Sequence, residues 1–510
     1  MTQPELITVV RRHWPYLLAL QAPLAGLLVL LIAPDLDVQV LAGTFHLWIM
    51  TAVALCALLV AALAARASAA THQPGLVLLA SGCLGVGLLM LGHGLTTPFV
   101  MGQPLNQWVG RLPYLGLTWF TLCLALASTP RVHRAIAPLG RRPGVVFLSV
   151  LLGFGALTAL VSLDPTALQG TSEWTAEPQM KDIATFASVA VLIPVSWLYW
   201  RRFRLGLDIV QASLSIAAAM TAAAFLSMHL GELWRLSWWD YHGCLLAGFA
   251  GVAWAVLRRW SATRVAAEVL DQAFVHDPLG LIAANYPAPL RTLVHEMEAK
   301  DAYTHGHSAR TAALAVTLGT RLGLSPDDLR TLAQGAYLHD IGKLVIPDDV
   351  LNKPGRLSSD ERDLINTHPD EGCRLAADHD VLSPCLPIIR HHHERVDGKG
   401  YPDGLAGDEI PWLARIASVA DVWDALTTDR AYRPGWEPQR ALDHIVDGAG
   451  RHLDSVAVAA LLEVAAEQGL RPSGVGGDAA ELVAATSDCH DAEGHSTNLV
   501  PAATTAARRV

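Results

Sequence analysis

Residues 45–65 read FHLWIMTAVALCALLVAALAA, twenty-one positions without a charge. A helix rises about 1.5 Å per residue and needs about 20 apolar residues to cross a hydrocarbon layer of about 30 Å, so this stretch is long enough to span a bilayer. Seven further uncharged runs flank it, at 16–33, 75–95, 112–128, 144–163, 183–200, 209–231 and 241–257, those at 112–128 and 241–257 being the shortest. One apolar run followed by seven more argues against a cleaved secretory leader. Residues 1–260 are therefore read as a polytopic bundle of about eight transmembrane helices.

The whole-chain composition agrees. Of 510 residues, 52% are hydrophobic and only 16% charged, against roughly a quarter charged in ordinary soluble domains. The net charge of −10 lacks the basic excess that a duplex phosphate backbone demands, so a nucleic-acid polymer is not expected as a partner. Seven cysteines, an odd number, show no zinc-ribbon or redox spacing, which predicts neither a disulfide framework nor a structural zinc. Cys56, Cys83, Cys123 and Cys244 lie inside apolar runs, where a thiol behaves as a small hydrophobe.

Cytoplasmic loops retain Lys and Arg, and alternate connectors differ sharply in them. One set carries Arg11, Arg12, Arg66, Arg131, Arg134, Arg141, Arg142, Arg201, Arg202, Arg204, Arg258, Arg259 and Arg264; the other carries only Arg111, Lys181 and Arg235. Both termini are thus expected in the cytoplasm. Twelve of the fifteen tryptophans precede residue 261, several of them near run ends, as an interfacial aromatic belt would place them.

After Leu257 the pattern changes to charged, amphipathic helices. Val265, Val269, Leu270 and Phe274 recur at helical spacing, and residues 261–292 are read as a helical linker interrupted by Pro278, Pro287 and Pro289. Residues 293–469 form an all-α soluble domain, and 470–510, rich in small and polar residues without periodicity, a disordered tail. Within the soluble domain His339-Asp340 ends an amphipathic helix whose buried face is Leu329, Leu332, Ala333, Ala336 and Tyr337, and runs into Ile341-Gly342-Lys343. An imidazole beside a carboxylate at a helix end, with a lysine one turn on, can hold a divalent cation and a phosphate together.

Four further pieces accompany it in order along the chain: Gly306-His307-Ser308 with Arg310, which precedes it; then Thr367-His368-Pro369; His392-His393-Glu394 followed by Asp397-Gly398-Lys399-Gly400-Tyr401-Pro402; and Asp421 with Asp424. This series, over about a third of the chain, resembles the HD-GYP family of metal-dependent cyclic di-GMP phosphodiesterases, in the HD phosphohydrolase superfamily. The resemblance implies a two-metal site for iron or manganese, with His307, His339, Asp340, His368, His392, His393 and Asp421 as ligands. Asp340 is the natural bridge, one oxygen to each ion, and the ion pair would acidify a bridging water that attacks the phosphodiester. Asp340 and Lys343 are the catalytic candidates. Lys343, Asp397, Gly398, Gly400, Tyr401, Arg430 and Arg433 are the substrate-binding ones, the glycine loop serving the dinucleotide or a diguanylate cyclase partner.

Two departures from the family matter. Tyr303 stands where members with a third metal carry a glutamate, so two ions are expected, and Arg430-Ala431-Tyr432 replaces the usual Arg-Pro-Tyr. His391 is read as a neighbour of the pair that follows it, His305 as a weaker ligand candidate because the family varies there, and Asp424 as a brace for Asp421 or a helix end.

In the membrane half, His46, His93, His229 and His242 all fall at the outer ends of their runs, hence at one depth. Ionisable groups at membrane depth are costly and usually functional. These four, with Glu232 or Asp240, are read as a haem, metal or proton-sensing site. The whole reads as a homodimeric enzyme of a bacterial inner membrane. It would linearise cyclic di-GMP to pGpG and on to GMP, the alternatives being a silent cyclic-dinucleotide receptor or a phosphohydrolase for another nucleotide. A transporter reading of the membrane half is disfavoured because no run carries a central charge.

Overall fold

The computed structural model describes residues 21–97, 106–129, 135–164, 166, 168, 178–263, 288–300, 306–353, 355–377, 380–429 and 434–472. These residues are helical with connecting turns, and no β-strand longer than an isolated bridge occurs among them. The described residues fall into two compact units, 21–263 and 288–472. The linker helix read at 264–274, residues Tyr303 and His305, the arginines Arg430 and Arg433, and the tail from 473 onward lie outside the described residues.

The first unit contains α1 (Gln21–Ile32), α2 (Gly43–Thr71), α3 (Pro74–Leu95), α4 (Leu112–Ser128), α5 (Pro143–Leu163), α6 (Pro178–Gly206), α7 (Ile209–Leu230) and α8 (Leu236–Thr263). Each of the eight apolar runs falls on one of these helices. Six of them, α2, α3 and α5 to α8, are long and apolar enough to cross a membrane; α4 and the described part of α1 are shorter. The run read as 241–257 is the tail of a longer helix that begins at Leu236, because Trp238, Trp239 and Asp240 are helical too.

Helix α3 is the centre, buried along nearly its whole length and packed on α2, α4 and α5. Its sequence of Gly, Ala, Ser and Leu explains this, since small residues let helix backbones approach where no hydrophobic drive separates them from lipid. Helices α7 and α8 pack together, and α8 returns to α2. Arg202, near the end of α6, donates through Nη2 to the Ser128 carbonyl at the end of α4 over 3.0 Å. That satisfies one of the carbonyls a helix end leaves open and brings the two ends to one level. Many Leu, Ile and Val side chains of α1, α2, α5 and α6 remain outward-facing and exposed, the surface that lipid would cover.

The second unit contains α9 (Ala288–Lys300), α10 (His307–Arg321), α11 (Pro326–Leu338), α12 (Ser359–Ile365), α13 (His368–Ala377), α14 (Leu386–His391), α15 (Trp412–Thr427), α16 (Pro438–Asp447) and α17 (Ser455–Glu467). Local signals place the boundaries. Ser325 accepts from the Asp328 N–H and Pro326 opens α11; Ser358 and Glu361 form a capping box at α12; Asp454 caps α17. Leu329, Leu332, Ala333 and Ala336 are buried as expected, whereas Tyr337 is only half-buried and Leu338 completes the face instead. The six described cysteines are free thiols, in keeping with their spacing.

Candidate metal centre

Helix ends deliver the side chains. His307 is the first residue of α10, His339 follows the last residue of α11, His368 opens α13, and His392 and His393 follow α14. Asp421 and Asp424 lie three apart on α15, hence on one face. Asp340 precedes a short 3₁₀ turn, Ile341–Leu344, that carries Lys343 back over it.

These residues converge in two groups. In one, ligand atoms of His307, His339 and Asp421 lie within 4.8 Å of one another; in the other, those of Asp340, His368, His392 and His393 do. Asp340 belongs to both neighbourhoods. Its Oδ2 is 3.3 Å from His339 Nε2 and 3.8 Å from His307 Nε2, while its Oδ1 is 3.4 Å from His368 Nε2. His307 Nε2 lies 3.3 Å from Asp421 Oδ1. The seven residues read as ligands are thus brought together, one carboxylate facing both groups.

The tautomers suit metal binding. Nδ1 of His339, His368 and His392 each lies 2.8 Å from the carbonyl three residues earlier, of Ala336, Ile365 and Ile389. A carbonyl can only accept, so Nδ1 carries the proton and Nε2 offers its lone pair inward. His307 is oriented differently, its Nδ1 donating to Asp424 Oδ2 over 2.7 Å. Asp424 is itself held by Arg310, Nε to Oδ1 at 2.7 Å and Nη2 to Oδ2 at 3.0 Å. Asp424 therefore braces His307 rather than Asp421, the carboxylate–histidine pairing that commonly orients metal ligands. The spacing of Arg310 three residues after His307 on one helix was the available signal.

Electrostatics follow the same division. Burial opposes ionisation of Asp340, but Lys343, His339 and His368 hold its carboxyl well below the usual range. Lys343 Nζ donates to Asp340 Oδ2 over 2.7 Å. Burial likewise opposes a charge on His307, yet Asp421, Asp424 and Asp340 outweigh it and raise the imidazole to about 9. His368 is lowered to about 3 and His393 to about 4, in both cases chiefly by burial. Five imidazoles and two carboxylates, with no thiolate, form a nitrogen–oxygen set that fits two borderline divalent ions.

The loop after His393 is a structural scaffold for the rim. Glu394, buried, accepts from the N–H groups of Asp403 at 2.7 Å, Gly404 at 3.0 Å and Leu405 at 3.1 Å. A Cβ on Gly400 would lie 2.4 Å from Glu394 Cα, so only glycine allows this fold-back. Tyr401 stacks on His393 with centroids 4.8 Å apart. Gly398 takes a positive φ of 71° at the turn. Asp397, expected at the substrate, instead spends its carboxylate on Arg395, at 3.0 and 2.8 Å, and on the Lys399 N–H. His391 turns toward Asp403, 3.6 Å away, and joins neither metal group. Glu394 and Gly342 are the residues sequence reading undervalued. A Cβ on Gly342 would lie 1.9 Å from the His368 carbonyl, so the missing side chain is what lets α13 set His368 against Asp340.

Residues 291–456 match the family model described as HD domain. The soluble region thus carries an HD domain, and the HD-GYP resemblance is borne out there by its relatives. A cyclic di-GMP phosphodiesterase of Pseudomonas aeruginosa is 39% identical over 191 residues, 37% of this chain and 46% of that one. A cyclic di-GMP phosphodiesterase response regulator of Xanthomonas campestris is 41% identical over 175 residues, 34% of this chain and 46% of that one. A 3'3'-cGAMP-specific phosphodiesterase of Vibrio cholerae is 34% identical over 173 residues, 34% of this chain and 33% of that one. The chain spans less than half the length of these curated relatives.

Of the four membrane histidines, three meet: ligand atoms of His46, His93 and His242 lie within 4.8 Å of one another. His229 does not join them. It faces Asp182 across 3.5 Å and contacts the Phe186 ring, because α7 packs its end on α6. Glu232 pairs with Arg235 at 2.7 Å, and Asp240 accepts from Cys244, so neither carboxylate completes the set.

Proposed function

We infer that this protein is a membrane-anchored, metal-dependent phosphodiesterase that opens cyclic di-GMP to linear pGpG and then to GMP. The observation that carries the reading is Asp340, whose two oxygens face two separate groups of imidazoles. A pair of divalent ions, iron or manganese, would supply Lewis acidity there, acidifying water and stabilising charge on phosphate oxygens. His307, His339 and Asp421 would hold one ion, His368, His392 and His393 the other, with Asp340 between.

The protein's own groups do the rest. Asp424 and Arg310 keep the His307 proton on Nδ1. Lys343 places its ammonium beside Asp340, where it can also meet a phosphate oxygen. Tyr401, held by the Glu394 scaffold, offers a ring face and a hydroxyl at the rim for a guanine; Arg430 and Arg433 are assigned to the second phosphate. The arginine asymmetry of the connectors supports cytoplasmic termini in a bacterial inner membrane, with the membrane unit regulating a homodimer and the glycine loop open to a cyclase.

One observation favours a second substrate: a relative of comparable identity is named as specific for 3'3'-cGAMP. The test is turnover of both dinucleotides by the full chain in detergent, anaerobically with Mn²⁺ or Fe²⁺, followed by chromatography. Faster loss of cyclic di-GMP, abolished by Asp340→Ala, is expected. Binding without turnover would make the protein a receptor, and faster loss of cGAMP would change the substrate.

A further inference from the structure

Hydrogen bonds account for only part of the convergence of the three membrane-unit histidines, because His242 Nε2 is buried without a partner beside the other two rings. His93 Nδ1 lies 2.6 Å from the Val109 carbonyl and therefore donates to it, leaving a lone pair on Nε2. The Thr97 hydroxyl lies 3.0 Å from the His93 carbonyl and 2.8 Å from His46 Nδ1; when it donates to the carbonyl it accepts from Nδ1, the tautomer of His46 that keeps a lone pair on Nε2. The two Nε2 atoms face each other at 3.0 Å. His242 Nδ1 points at the Trp238 carbonyl, 3.3 Å away, and its Nε2 is buried without a hydrogen-bond partner.

Three imidazole lone pairs thus share one enclosed space, and a single hydroxyl, Tyr241 Oη at 2.8 Å from His93 Nε2, is the one donor described there. Leaving buried acceptors without donors costs about 1–3 kcal/mol each, so something electron-poor belongs among them. His46 and His242 are 0% exposed and His93 3%. Trp238 stacks on His46 at 5.3 Å between centroids. The loop before α2 pins this wall, with Asp37 accepting from the Ser237 N–H and hydroxyl at 2.8 and 2.7 Å. The Trp239 indole donates to the Val40 carbonyl at 3.0 Å.

We propose that His46, His93 and His242 form a second metal site, which holds one copper(I) ion. The choice of ion follows from the ligand set. Neutral imidazole suits copper and zinc, but no carboxylate among the described residues joins the three nitrogens. The cost of burying charge rises steeply with its magnitude, so a monovalent ion is tolerated where an uncompensated divalent one is not. A cavity of about 390 Å³, lined by His93, Tyr241, His229, Asp182 and Lys181, adjoins the cluster. It is the ion's route in, and gives His229 a place on the path rather than in the site. Only His93 of the three lines that cavity, which leaves a haem macrocycle no access to the other two.

The test uses the full chain in detergent with Asp340→Ala disabling both soluble groups. It is titrated with Cu(I) against a competing chelator and, in parallel, with Zn(II). One copper per chain is expected, with quenching of tryptophan emission through Trp238 and an X-ray absorption spectrum of three nitrogen donors. His46→Ala and His242→Ala each lose the ion and the quenching, while His229→Ala keeps both. The spectrum of the protein with the three histidines intact does not depend on those variants folding. Absence of stoichiometric metal would mean a closed proton-sharing triad and overturn the site. Sulfur scattering would move the ion to the cysteines, and preference for zinc would overturn the choice of ion.

Discussion

The two histidine clusters of this protein are built from the same side chain and differ in what surrounds it. In the soluble unit, imidazoles are interleaved with Asp340, Asp421 and Asp424, and Lys343 stands at the edge. In the membrane unit they meet one another, a tyrosine, a threonine, backbone carbonyls and a wall of tryptophans, with no carboxylate among the described residues. Carboxylates compensate divalent charge and leave room for a phosphate; bare imidazoles in an aromatic wall do neither. Ligand identity therefore says less about a histidine cluster than the charge of its neighbours.

The largest expected effect tests the shared carboxylate. Asp340→Ala should abolish turnover and bound metal in both soluble groups together, measured by elemental analysis. Retention of one ion would mean that the groups are independent. Next is Asp424→Asn, which keeps the shape but weakens the hold on His307. Metal affinity should fall about 10–100-fold, as removal of a bracing partner usually costs, read by competition with a chelator. The membrane cluster has no such brace, and its copper binding should not move.

Gly342→Ala addresses packing rather than charge. The added methyl must displace the His368 backbone, and overpacking of this kind costs about 1–3 kcal/mol, measurable by denaturant unfolding of the soluble unit's signal. Glu394→Gln should be milder. It keeps an acceptor for the Asp403, Gly404 and Leu405 N–H groups but loses the charge, weakening those bonds by about 1 kcal/mol. The loop's loosening should raise KM more than it lowers kcat, and an effect on kcat alone would place Glu394 in the chemistry instead. The smallest effect is expected from His46→Ala on the soluble metal load, which should stay unchanged. A change would mean that the two clusters are coupled.

Much of this was legible along the chain. The described part of every apolar run lies on a helix, since uncharged stretches of that length have few other ways to satisfy their backbone in lipid. The seven candidate ligands of the soluble cluster were readable because six sit in short motifs at helix ends and Asp421 lies on a helical face with Asp424. The membrane histidines were legible only in depth. Their alternation put four at one level, and lateral packing then sorted three from the fourth, since His229 sits where α7 meets α6. The partner of Asp397 was likewise decided by packing. The place of Asp397 beside two glycines suggests ligand contact, but Arg395, two residues away, claims the carboxylate first.

Periodicity, charge and motif order are properties of one dimension, and they sufficed for the helices, the apolar half and the set of residues that the second unit brings together. Which lone pairs face one another is decided by side-chain packing in three dimensions. Only the folded protein could therefore show that Asp340 faces two groups, that Asp424 holds His307, and that three buried imidazoles converge in the membrane unit.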